Sequence, residues 1–97
     1  PCDSRPDQER VLMDNEELRE KIALIDRKIM SLVSERMQTA YEIGINKKVA
    51  GIPVHDGEVE KSVISRYRTA AAEDDLDEDL AEELANLLIS WSCRVQE

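Results

Sequence analysis

The sequence predicts an all-α fold with three helices per chain, one long and two shorter, assembled as an intertwined helical homodimer. Apolar residues recur at spacings of three and four through most of the chain, and no alternating strand pattern competes with them. Glycines stand only at 44, 51 and 57 and prolines only at 1, 6 and 53, so the chain's own breakers cut the pattern into three stretches. The first stretch is too long for 97 residues to cover alone. At ~1.5 Å per residue it makes a rod of roughly 50 Å, against a compact radius of gyration near ~13 Å. Pairing two long helices and folding the shorter ones back across both resolves the mismatch. It also supplies burial that so small a domain lacks by itself.

Residues 1–12 carry no useful periodicity and are expected to be a disordered tail or a remnant outside the domain, with Met13 a candidate native start and the domain spanning 13–97. The long helix is expected over 14–48, where Leu18, Ile22, Ile25, Ile29, Leu32 or Val33, Ala40 and Ile43 form one apolar stripe. Gly44 weakens this helix by about 1 kcal/mol relative to alanine without ending it. Gly51, Pro53 and Gly57 do end it, and Asp56 stands where an N-cap belongs, with Glu60 near the first turn that follows. A second helix over 57–72 then sets Val59, Val63, Ile64, Tyr67 and Ala70 toward the first. Asp75 or Asp77 caps a third, whose expected core face is Leu80, Leu84, Leu87, Leu88, Trp91 and Val95. Tyr67 and Trp91 read as core or dimer contacts rather than substrate-stacking rings.

The formal net charge of -9 excludes the basic footprint that nucleic acid requires. Eight of the acids crowd into residues 73–83, where a solvated helix start accommodates them, and a surplus of surface acid also fits a salt-adapted source. Two cysteines, Cys2 and Cys93, make neither a disulfide framework nor a metal-ligand spacing, which fits a reducing, cytoplasmic setting. No apolar run is long enough to span a bilayer.

No glycine-rich phosphate loop, HExxH, CxxC or GxSxG is present, so no metal, cofactor or covalent nucleophile is expected. The single histidine, His55, falls in the loop between the first two helices and reads as a solvent-exposed residue rather than a proton shuttle. What remains is chemistry by position and charge. Arg36 and Lys47 are eleven residues apart, which at about 100° per residue returns to nearly the same helix face. Arg19, seventeen residues before Arg36, falls about 100° away, so one subunit does not aim all three inward whereas a dimer can. With Asp56, Glu60, Ser92 and Gln96 on later segments, these cations suggest a pocket for a small anion bearing more than one carboxylate. Gln96 is the penultimate residue, and either Trp91 and Val95 hold its turn down or the chain is clipped there.

The ordered segments LREKIALIDRKIMSLVSERM, EIGINKK, GIPVHDGEVEK and SWSCRVQ resemble the all-helical AroQ-type chorismate mutases over nearly all of residues 17–97. Family members carry an LR..I..ID..I..L..ER pattern, a lysine after an IG turn, a PV.D...E loop and S...Q on the third helix. The resemblance implies a chorismate mutase of aromatic amino-acid biosynthesis, homodimeric, with chorismate as its dicarboxylate substrate. Arg36 and Lys47 match the two cations of the long helix that face the substrate, and Arg19 the arginine that reaches the same site from the other subunit. Gln96, with Lys47, matches the donor to the ether oxygen of the breaking bond. Asp56 and Glu60 match positions near the ring hydroxyl, and Ser92 one near a carboxylate. The family's arginine before the glutamate is replaced here by Val59, which leaves one contact missing or supplied by Lys48 or Lys61. Two rivals share the fold: an isochorismate pyruvate lyase using similar cations, and a non-catalytic helical dimerisation or regulatory module.

Overall fold

The computed structural model describes residues 14–97, and every regular element among them is helical. Helix α1 spans Asn15–Ala50, α2 Gly57–Glu73 and α3 Glu78–Gln96. The expected tail at 1–12, with Met13, lies outside the described residues. The chain divides after Glu35 into two units, to both of which α1 contributes.

In the N-terminal unit, α1 opens with a reciprocal capping box. The Glu17 amide donates to Asp14 Oδ1 at 2.9 Å, while the Asp14 amide donates to Glu17 Oε1 at 3.3 Å. Beyond it the predicted stripe is present but uncovered: Leu18, Ile22, Ile25, Ile29 and Leu32 are all exposed, from 37% at Leu18 to 65% at Leu32. Water-facing aliphatics at this density are unfavourable for an isolated chain, since each loses roughly 1.5–3 kcal/mol of available burial.

In the second unit α1 ends by the expected glycine. Gly51 adopts φ +72°, the Ile52 amide donates to Lys47 O at 2.8 Å and the Gly51 amide to Lys48 O at 3.2 Å, which together form a Schellman motif. Asp56 caps α2, its Oδ1 accepting from the Glu58 and Val59 amides at 3.1 and 3.3 Å. The α2 terminus repeats the Schellman pattern with a non-glycine residue: Asp75 sits at φ 58°, and the Leu76 amide reaches Ala71 O at 2.8 Å. Asp77, not Asp75, therefore caps α3, accepting from the Asp79 and Leu80 amides at 2.8 and 3.1 Å.

The core of residues 36–97 is built from small side chains and differs from the predicted faces. Buried positions are Met37, Ala40 and Gly44 on α1, Val63 and Ala71 on α2, and Ala85, Leu88, Ser92, Cys93 and Gln96 on α3. Of the expected α3 core face only Leu88 is buried; Leu80, Leu84, Leu87 and Trp91 are exposed and Val95 is half-buried. Helix α3 carries two neighbouring stripes, and a single chain covers the small one, where helices approach closely, while the large leucine and tryptophan stripe faces out. On α1 Ile43 is exposed, as are Val59 and Ala70 on α2, with Ile64 and Tyr67 half-buried. The dense acids find one organised partner. Arg68 on α2 meets Glu82 at 2.7 Å, Asp79 at 3.1 Å and Glu78 at 3.7 Å, tying the start of α3 to α2. Hydrogen bonding to Asp79 and then Glu82 holds the Arg68 guanidinium still more firmly in its charged form. None of the described helices is long and apolar enough to cross a membrane.

Candidate active site

The second half of α1 and the last turns of α3 run in the same sense along a common seam. At its lower end Arg36 Nη1 donates a short hydrogen bond to Ser92 Oγ and a longer one, 3.4 Å, to Leu88 O. Ser92 Oγ in turn contacts Met37 Sδ at 3.8 Å. At the upper end Gln96 is seated on Gly44, where a Cβ would come within 2.8 Å of Gln96 Cγ and 2.9 Å of its Cα and Cβ. Only a residue without a side chain allows this approach, which explains a glycine inside so regular a helix. Lys47, the next turn of α1 beyond Gly44, donates Nζ to Val54 O at 2.7 Å and so pins the α1–α2 loop.

Among the described residues these contacts leave donor capacity on both cations. Both bonds from Arg36 use one nitrogen of a guanidinium that offers five N–H groups, and Lys47 has three donors of which one goes to the loop. Both cations are half-buried, where a carboxylate is held more strongly than in bulk water. Gln96 is buried, yet its Oε1 takes no hydrogen bond among the described residues. An unpaired buried amide oxygen costs about 1–3 kcal/mol, so this amide has polar capacity that a bound group can satisfy.

Glu60, half-buried on the first turn of α2, lies beside the same region. Its Oε2 is 3.6 Å from His55 Nδ1. Cys93, next to Ser92, is buried with its Sγ 3.6 Å from that same nitrogen. Burial pushes the Cys93 thiol up, the charges of Glu60 and Glu97 add to that, and the ammonium of Lys47 opposes it. The charges of Lys47 and Glu60 thus both reach the end of α3.

Of the seven residues singled out from sequence, Arg36, Lys47, Glu60, Ser92 and Gln96 meet around the α1–α3 seam. Asp56 stands at the edge, its carboxylate engaged in capping α2. Arg19 belongs to the N-terminal unit, on an exposed face of α1. Lys48 and Lys61 are exposed, as is Val59 at 56%. His55 is exposed as expected, but its pairing with Glu60 and Cys93 was not legible from spacing. By sequence Gly44 is only a weak point of a helix; its position inside an otherwise unbroken pattern is the available signal of a close contact.

A helical scaffold that gathers an arginine, a lysine and a buried glutamine fits a class of enzyme that binds a small anion and works by positioning and charge. Residues 18–97 match the family model described as chorismate mutase type II, and the chain belongs to that family. It is 35% identical over 80 residues to a chorismate mutase of Methanocaldococcus jannaschii, an alignment covering 82% of this chain and 81% of the relative. It is also 34% identical over 80 residues to the bifunctional chorismate mutase/prephenate dehydratase of Escherichia coli K12, where the match spans 82% of this chain and 21% of that longer protein. A Shigella flexneri bifunctional relative matches with the same figures.

Proposed function

We infer that this chain is a chorismate mutase, converting chorismate to prephenate at a site formed by Arg36, Lys47, Glu60, Ser92 and Gln96. The observation that carries the reading is the seam itself, where two half-buried cations, each with donors left over among the described residues, stand on either side of a buried amide. The rearrangement is an intramolecular, concerted exchange of one C–O bond for one C–C bond, and it needs no nucleophile or proton transfer. Its barrier falls when the enolpyruvyl arm is held folded over the ring, which cations on the two carboxylates achieve by restricting the substrate to a near-attack shape. Negative charge gathers on the ether oxygen as the C–O bond breaks. Preorganised donors from Lys47 and Gln96 stabilise that charge more in the transition state than in the bound substrate. Ser92, held by Arg36, adds a hydroxyl near one carboxylate, while Asp56 and Glu60 face the ring hydroxyl.

The active form in this reading is a homodimer. The uncovered stripe from Leu18 to Leu32 and the outer stripe of α3 supply the apolar surface for it, and Arg19 of one subunit completes the site of the other. Chorismate loss followed by ultraviolet absorbance, with prephenate identified as product, tests the activity. Lys47→Ala is expected to lower kcat by on the order of 10² to 10³, the range for removing one donor to a developing oxyanion. Pyruvate released from isochorismate, with chorismate left intact, would assign the chain to lyase chemistry instead. The shared site has its own test. Arg19→Ala and Lys47→Ala, each nearly inactive, should recover about a quarter of wild-type activity when unfolded together and refolded, because half the dimers are mixed and each then holds one intact site. No recovery would place Arg19 in its own subunit's site or in none.

A further inference from the structure

His55, Glu60 and Cys93 come from three different segments: the α1–α2 loop, the first turn of α2 and the start of the last turn of α3. They are 5 and 33 residues apart in sequence, which matches no metal-binding motif. Folding nevertheless brings one nitrogen, one oxygen and one sulfur donor within 4.8 Å of one another. His55 Nδ1 stands 3.6 Å from both Glu60 Oε2 and Cys93 Sγ. For nitrogen and oxygen that separation is too long for a good hydrogen bond. These two distances from His55 are those of a tetrahedral metal shell, where bonds of ~2.0–2.3 Å set neighbouring ligand atoms roughly 3.3–3.7 Å apart, and the third pair lies within 4.8 Å.

The donor types narrow the ion. A thiolate with an imidazole disfavours magnesium and calcium, which take oxygen, and suits zinc and its tetrahedral analogue cobalt. Access is from the loop side: the His55 side chain is 71% exposed and that of Glu60 34%, while Cys93 closes the inner end. Three protein ligands leave a fourth position toward water.

We propose that His55, Glu60 and Cys93 form a binding site for a thiophilic divalent cation, Zn²⁺ above all, and that its occupation inhibits the enzyme. Binding forms S–Zn, N–Zn and O–Zn bonds, and the proton of the Cys93 thiol passes to solvent. The inhibitory half rests on the reading of Glu60 as a substrate contact: a carboxylate ligating the metal is withdrawn from the ring hydroxyl. The α1–α2 loop, already tied to Lys47 through Val54, is then fixed at a second point. Metal plays no part in the rearrangement, so the metal-free enzyme is the active one.

The test uses the full chain with Cys2→Ser, so that Cys93 is the only thiol. Co²⁺ added without substrate should give tetrahedral d–d absorption together with a thiolate-to-cobalt charge-transfer band. Zn²⁺ should displace it and suppress chorismate turnover, reversibly on chelation. Cys93→Ser abolishes the charge-transfer band, and Cys93→Ser and the exposed His55→Ala each weaken Zn²⁺ inhibition by at least the ~10–100-fold that losing even an outer-shell partner costs. Circular dichroism checks that both variants remain helical. A Cys2→Ser spectrum without the thiolate band overturns the site. A thiolate band with turnover indifferent to Zn²⁺ keeps the site and overturns its inhibitory role. Failure of the metal-free protein to turn over chorismate would count against the functional reading, and the cobalt spectrum would still decide the site.

Discussion

Cys93 shows how a single side chain reports its surroundings. Its thiol is pushed up chiefly by burial, with Glu60 adding to the effect and Lys47 opposing it. In a Cys2→Ser background at neutral pH, alkylation by iodoacetamide should be slower than that of free cysteine, since only the thiolate reacts. The signs for its neighbours follow: Glu60→Gln lowers the thiol's pKa and speeds alkylation, whereas Lys47→Met raises it and slows alkylation further. Equal rates in all three proteins would mean that neither charge reaches Cys93. Val59 invites a gain instead of a loss. With the expected arginine absent and Val59 exposed beside the Asp56 cap, Val59→Arg should lower KM for chorismate by several-fold, most visibly at low salt where an exposed cation is least screened. An unchanged KM would show that a different group already fills that role.

At the scale of elements, the sequence was most legible where local rules act alone. Gly51 after a long periodic run and Asp56 before the next are helix punctuation that depends on backbone geometry only, and both behave as such. The choice between Asp75 and Asp77 as the α3 cap was not legible, because both are competent caps and the decision lies in a turn that demands one left-handed residue. Asp75 occupies that φ of 58° at a cost glycine would not bear. Asp75→Gly is therefore expected to stabilise the chain by about 0.5–1 kcal/mol in urea unfolding, with no change in kcat. A destabilised variant would show that the Asp75 side chain makes a compensating bond. The apolar faces were half legible for a different reason. Periodicity marks which residues avoid water, not which partner covers them, and on α3 it merged a small-residue stripe packed within the chain with a leucine stripe that is not. The candidate site divides in the same way: Arg36, Lys47 and Gln96 are singled out by face and family pattern, whereas the contacts of Gly44 and of His55 with Cys93 depend on three-dimensional packing that spacing does not encode.

For the whole molecule, the exposed aliphatics of α1 make association the test of the proposed dimer. If α1 stripes pair between subunits, dilution should lower both the thermal midpoint and the specific activity together, because folding and dimerisation are then one equilibrium. Ile25→Asp, which sets a charge in the middle of the stripe, should produce a monomer by sedimentation with greatly reduced turnover. A fully active Ile25→Asp monomer would refute the shared site. The acid surplus bears on the same scale. Repulsion among the eight carboxylates at 73–83 is countered at Arg68, so added salt should stabilise the protein modestly even while it weakens substrate binding.

The seat of Gln96 on Gly44 has a consequence for how the sequence can drift. Two of the three atoms that a Cβ at position 44 would strike, Cα and Cβ of residue 96, belong to every amino acid other than glycine, or to all of them in the case of Cα. No exchange at 96 therefore makes room for a side chain at 44; relief requires the whole end of α3 to move away, taking the amide with it. In a saturation library selected for growth, position 44 should return glycine alone, although alanine there favours the isolated helix by about 1 kcal/mol. A position that is a defect by helix propensity would then rank among the least replaceable in the chain.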